Sequence, residues 1–277
     1  MAESLLESAV NLKDALGALA SVVFPAPCRI CGRALTNASR IPICESCLSG
    51  FELVAEPLCI SCGRPFTSAV AAEAMKPLCR LCRLQYYAFD GARSFAIYDD
   101  ALFEAIALLK YEQVSRLGHW FAGKLAQLVR LQSEEWRADL IVPVPLHAER
   151  RRERGYNQAE LIARPLARSL GLRLEPGLLM RVKPRPPRLV LSRSERWQVV
   201  RGAYSVRERA RVENLRILLI DDVMTTGATL DACARALKKA GAAAVFGLTV
   251  GRARSGNMVV GVKLPPVSIS PGKASKY

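Results

Sequence analysis

The chain has 277 residues, 51% apolar and 23% charged, with 40 Lys and Arg against 25 Asp and Glu for a net charge of +15. That balance excludes a disordered, collagen-like or disulfide-miniprotein chain and suits one large folded domain or two modest ones. No apolar run reaches the roughly 18 uncharged residues of a membrane span, and the positive excess points to anionic partners: phosphates, nucleic acid or an acidic membrane surface.

Residues 1–23 set Leu5, Ala9, Leu12, Leu16, Leu19 and Val23 at helical spacing. The spacing predicts an amphipathic helix. Glu3, Glu7, Lys13 and Asp14 interrupt the uncharged block that an export signal would need, so a cytoplasmic chain is expected. Residues 24–88 hold eight of the nine cysteines as four CxxC pairs: Cys28/Cys31, Cys44/Cys47, Cys59/Cys62 and Cys79/Cys82. A two-residue gap lets both thiolates of a pair face one ion, and two pairs complete a tetrahedral site at about 2.3 Å. Two structural Zn²⁺ ions in a double ribbon are expected, since disulfides need an oxidising compartment and iron–sulfur motifs are more tightly spaced. Sequential pairing is simplest; interleaved pairing stays open. Gly32 and Gly63 follow the first and third pairs, where a knuckle needs a permissive backbone. The arm at residues 64–78 shows no special chemistry.

Residues 89–256 alternate strand and helix. Strands are predicted at 93–98, 139–145, 178–182, 215–220 and 244–250, and helices at 100–110, 118–131, 158–170 and 230–240. Pro165 should kink or shorten its helix. Gly241 should end the last one. The order implies a mostly parallel, twisted sheet with helices on both faces. Residues 257–277 read as a flexible tail.

The segment from Ile217 to Thr229 carries the most chemistry. An apolar strand delivers Asp221 and Asp222, then Thr225, Thr226 and Gly227 turn into a helix that begins near Ala228 and Thr229. Backbone N–H groups, hydroxyls and a helix N-terminus suit a phosphate, and the acids suit sugar hydroxyls or a coordinated cation. This segment resembles the phosphoribosyl-pyrophosphate motif of type I phosphoribosyltransferases. With the cysteine knuckles, Leu109-Lys110-Tyr111, Val142-Pro143-Val144-Pro145 and Arg154-Gly155-Tyr156-Asn157-Gln158, the chain resembles the ComF family more narrowly. Leu191-Ser192-Arg193, Glu195-Arg196 and Arg201-Gly202-Ala203-Tyr204 continue the likeness.

The resemblance implies a type I phosphoribosyltransferase fold behind a small cysteine-rich head. It implies that Asp221 and Asp222 bind ribose hydroxyls while Thr225, Thr226, Gly227, Ala228 and Thr229 hold the 5′-phosphate. Pro145 and Leu146 would meet pyrophosphate, with Arg154 and Asn157 as polar contributors and Lys110 in the pocket. Phosphoribosyl pyrophosphate with Mg²⁺ is the implied ligand. Single-stranded DNA and a helicase-like competence protein are the implied partners. Residues 183–203 would form a hood; Pro184, Pro186 and Pro187 argue against regular structure there, and its arginines could reach phosphates. In that hood the family's Gln-x-Gly-Leu-Ser is replaced by Arg188-Leu189-Val190-Leu191-Ser192, and its asparagine by Val199. A ligand-sensing, DNA- or protein-binding factor on the same scaffold is the alternative. Of the two histidines, His119 reads as a helix-surface residue and His147 as a possible phosphate contact. Cys233 reads as a small buried hydrophobe.

Overall fold

Parallel strands buried on both faces need short, continuously apolar runs, and this chain supplies them. The computed structural model describes residues 26–35, 41–66, 77–132, 134–184 and 193–254. The expected N-terminal helix, the tail, residues 67–76 of the arm and residues 185–192 of the hood lie outside these. The strands are β1 (Gly91–Ile97), β2 (Leu140–Pro143), β3 (Arg173–Leu174), β4 (Leu179–Arg181), β5 (Tyr204–Val206), β6 (Arg216–Met224) and β7 (Ala244–Arg252). The helices are α1 (Glu45–Ser49), α2 (Arg80–Arg83), α3 (Asp100–Tyr111), α4 (Ser115–Arg130), α5 (Ala148–Arg154), α6 (Gln158–Leu170), α7 (Arg193–Val200) and α8 (Ala228–Lys239).

One sheet runs in the order β1-β7-β6-β2-β3, parallel throughout. Side chains of β6 alternate between two cores. Leu218 and Ile220 join Leu109, Phe121 and Leu166 on the side of α3, α4 and α6; Ile217 and Leu219 join Leu230, Cys233 and Leu237 of α8. After β2 the chain moves outward to β3, and after β6 it moves the other way to β7. Their following helices therefore lie on opposite faces. The gap between the C-terminal ends of β2 and β6 is the place where an open parallel sheet receives ligands.

Four details depart from the sequence expectation. First, β6 continues through both acids to Met224, because β7 keeps pairing: Asp221 lies opposite Thr249 and Met224 opposite Arg252. Second, α6 runs unbroken through Pro165. An interior proline costs about 3 kcal/mol, whereas full burial of Ile162 and Leu166 contributes about 2 kcal/mol each. The proline leaves Leu161 O without its helical N–H, and Gly118 of α4 packs close against that carbonyl. Third, the strand near residue 180 does not enter the sheet; β4 pairs antiparallel with β5. Fourth, the hood is not wholly irregular: its prolines precede α7, which forms as a helix.

The cysteine-rich region is a tandem repeat. Cys28 N donates to Arg33 O at 2.7 Å and Cys59 N to Arg64 O at 2.8 Å. Gly32 N donates to Cys28 O at 2.8 Å and Gly63 N to Cys59 O at 2.9 Å. Both glycines take positive φ, +72° and +62°. Pro27 bridges Ala34 as Leu58 bridges Pro65. The repeats also finish the sheet. Along the outer edge of β1, Ala92 N donates to Ser61 O at 2.7 Å, Ile97 N to Glu52 O at 2.7 Å and Val54 N to Phe95 O at 3.2 Å.

Candidate functional site

The eight cysteines gather in sequential pairs. The sulfurs of Cys28, Cys31, Cys44 and Cys47 lie within 4.8 Å of one another, as do those of Cys59, Cys62, Cys79 and Cys82. Four thiolates at about 2.3 Å from a tetrahedral Zn²⁺ would stand about 3.8 Å apart. Cys31 and Cys44 are 3.7 Å apart, as are Cys62 and Cys79. A backbone N–H supports a sulfur in each group, Cys44 N to Cys28 Sγ and Cys79 N to Cys59 Sγ, both at 3.3 Å. These two all-sulfur clusters suit two structural zinc ions. The Arg33 side chain donates to Cys31 Sγ and draws that thiol down to about 6. The first centre reaches solvent through Cys31, while Cys59, Cys62 and Cys79 of the second are buried.

At the end of β6 the two acids are buried, 8% and 6% exposed. Asp222 Oδ2 lies 2.6 Å from Lys110 Nζ at the end of α3 and accepts from Gln158 Nε2 at 3.1 Å. Burial alone would push the Lys110 ammonium down, but the adjacent Asp222 carboxylate reverses this and raises it. Asp221 Oδ1 accepts from Asp222 N at 2.9 Å. Arg154 extends the network: Nη1 donates to Gln158 Oε1 at 2.7 Å, and the guanidinium stands 5.2 Å over the Tyr111 ring.

Beyond the acids the chain turns through Gly227, whose φ is +83°, and enters α8. An added Cβ there would meet Met224 Cε at 2.8 Å and Tyr87 Cε1 at 2.9 Å, so glycine is required on both counts. Thr226 Oγ1 accepts from Ala228 N at 3.3 Å, and Thr225 Oγ1 accepts from Arg196 Nη1 of α7 at 3.2 Å. Asp221, Thr225, Gly227, Ala228 and Thr229 line an open recess at this turn. N–H groups at the start of a helix, hydroxyls and buried carboxylates are the donor and acceptor types that a phosphate and sugar hydroxyls engage.

Lys110, Gln158 and Arg154 are linked to Asp222, Arg154 through Gln158, whereas the other expected residues take other places. Pro145 and Leu146 follow β2 beside this turn, where Val144 N pairs with Ile220 O at 2.8 Å. Asn157, buried, spends its side chain on bracing: Nδ2 donates to Val144 O and Oδ1 caps α6 through Ala159 N, both at 3.0 Å. His119 lies on the surface of α4, Nδ1 being 3.1 Å from Ser115 O. His147 precedes α5, with Nδ1 3.9 Å from Glu149. Cys233 is fully buried, and that burial pushes its thiol upward. Sequence reading did not single out Tyr87, Tyr98 or Arg252. An aromatic pair three residues after the last CxxC was the one available signal for Tyr87.

Residues 19–85 match the family model described as Double zinc ribbon domain, and residues 156–258 match Phosphoribosyl transferase domain. The fold is accordingly a type I phosphoribosyltransferase fold behind a zinc-ribbon region. The DNA utilization protein YhgH of Salmonella typhimurium is 30% identical over 80% of this chain and 94% of its own. Competence protein F of Haemophilus influenzae is 28% identical over 72% of this chain and 91% of its own. Competence protein ComFC of Bacillus subtilis is 27% identical over 73% of this chain and 80% of its own.

Proposed function

The chain belongs to the ComF family, and from that premise we propose that it binds phosphoribosyl pyrophosphate and transfers the phosphoribosyl group to an acceptor in the handling of incoming DNA. The observation that carries this reading is the juxtaposition of Asp221 and Asp222, fixed by Lys110 and Gln158, with the glycine turn into α8. In the reaction the bond from ribose C1 to pyrophosphate breaks, its electron pair leaves with pyrophosphate, and an acceptor lone pair bonds to C1. Thr225, Thr226 and the N–H groups opening α8 grip the 5′-phosphate. Asp221 and Asp222 accept from the ribose hydroxyls and orient the ring. The loop at Pro145 and Leu146 meets the leaving group with Arg154 supplying positive charge beside it, and Arg196, held on Thr225, supplies charge at the 5′-phosphate. Mg²⁺ arriving with the pyrophosphate would supply charge neutralisation for the leaving oxygens. Positioning and electrostatics account for most of the catalysis. The double ribbon holds two structural zinc ions, and the basic surface takes single-stranded DNA beside a helicase-like competence partner in the cytoplasm.

Calorimetric titration of phosphoribosyl pyrophosphate with Mg²⁺ into the zinc-loaded protein tests the reading. Binding by the wild type and its loss in Asp221→Ala/Asp222→Ala are expected; acceptors are then screened by pyrophosphate release. A well-folded wild type that binds nothing sinks it. Arg188 and Val190, which stand where the family has glutamine and glycine in the hood, favour a second reading in which the same pocket binds its ligand as a sensor without turnover. Binding without pyrophosphate release from any acceptor would select that reading.

A further inference from the structure

The segment after the last cysteine pair joins the second sulfur cluster to the phosphate loop. Gln85 N donates to Cys82 O and Tyr86 N to Leu81 O, both at 3.0 Å, which ties the segment to the ribbon. Three bonds then fasten it to the loop and α8. Tyr87 OH donates to Thr226 O at 2.9 Å, Ala88 N to Asp231 Oδ1 at 2.7 Å, and Arg235 Nη2 to Tyr86 O at 3.0 Å. The Tyr87 ring stacks on Phe89 at 4.6 Å and fills the space beside Gly227. Burial raises its phenol to about 12, so it stays a donor at neutral pH. Trp197 of α7 stands edge-on to Tyr86 at 4.8 Å. One aromatic block therefore touches the ribbon, the loop and the hood helix.

Arg252 strengthens the link from behind. It is 1% exposed and lies opposite Met224, just before the loop. Its Nη2 is 3.8 Å from Cys62 Sγ, while Nε and Nη1 have no partner among the described residues. A buried guanidinium needs facing negative charge. Four thiolates around a divalent ion supply it, so Arg252 is the counter-charge of a metal-loaded second centre. Among the described residues the first centre has no such bond to the loop: it packs through Phe51 on Trp120 and Phe121 and pairs Arg29 with Glu112 at the end of α3.

We infer that the loaded second centre sets the shape of the phosphate loop through Tyr87, a positioning residue. The inference rests on the phosphate-loop reading above. Amide hydrogen exchange of residues 224–231 in the full zinc-loaded chain tests it. Tyr87→Phe keeps the ring and removes one hydrogen bond, so loop exchange should rise about fivefold. Cys82→Ser should raise it further while β2 and α6 stay protected, and Cys47→Ser should leave it unchanged. Equal loop exchange in wild type and Tyr87→Phe overturns the inference, as does loss of protection across the sheet in Cys82→Ser. Titration with ribose 5-phosphate separates the two claims. No binding by the wild type defeats the functional reading and leaves exchange to decide the coupling. Equal binding by wild type and Tyr87→Phe defeats the coupling alone; about fivefold weaker binding by the variant supports it.

Discussion

Lys110 and Asp222 stand 2.6 Å apart with side chains 22% and 9% exposed. Removing one member of a buried pair costs about 3–5 kcal/mol, because the other charge stays desolvated. Here the ammonium keeps some water and Gln158 remains on the carboxylate, so Lys110→Met should cost about 2 kcal/mol in denaturant unfolding. Affinity for phosphoribosyl pyrophosphate should fall more than tenfold by titration; unchanged affinity would remove Lys110 from the site. The acids, threonines and Gly227 were legible because they are adjacent in sequence. Lys110 was legible only through family likeness. Gln158 reaches Asp222 from a segment 64 residues away, a distance no local pattern encodes.

Helices α4 and α6 meet where Gly118 faces Leu161 O. A Cβ at position 118 would lie 2.8 Å from that oxygen, which is backbone and cannot turn aside. Overpacking of this kind costs about 1–3 kcal/mol, so Gly118→Ala should lower Tm by several degrees. Gly123 of the same helix is exposed and has nothing within 4 Å of an added Cβ. Gly123→Ala should therefore raise stability by about 0.5–1 kcal/mol. Thermal melts of the two variants side by side check the pair; equal shifts would refute the packing account. Periodicity located these elements well, since their apolar faces are strongly patterned. Helix α6 is not shortened at Pro165, because tertiary burial outweighs a local penalty, and periodicity ended β6 early because charge reads as a boundary when its partners are unseen.

Across the molecule the two sulfur centres differ in exposure, so their metals should leave at different rates. A chromogenic chelator should take one zinc equivalent quickly, from the centre that exposes Cys31, and a second slowly with loss of near-ultraviolet circular dichroism. Release in one phase would contradict this. Zinc binds thiolates, so affinity should fall as pH drops and protons compete. The cysteine spacing made both centres legible, but nothing local showed that the ribbons pair with the edge of β1. That edge has a consequence for biogenesis. Strand β1 is complete by residue 97, yet its partner β7 begins at residue 244, about 150 residues later. At 5–20 residues per second the ribosome needs about 7–30 seconds to deliver it. During that wait a metal-loaded head, already synthesised, shields one side of an otherwise bare strand from pairing with neighbouring nascent chains. Zinc supply thus becomes a determinant of yield before the sheet exists.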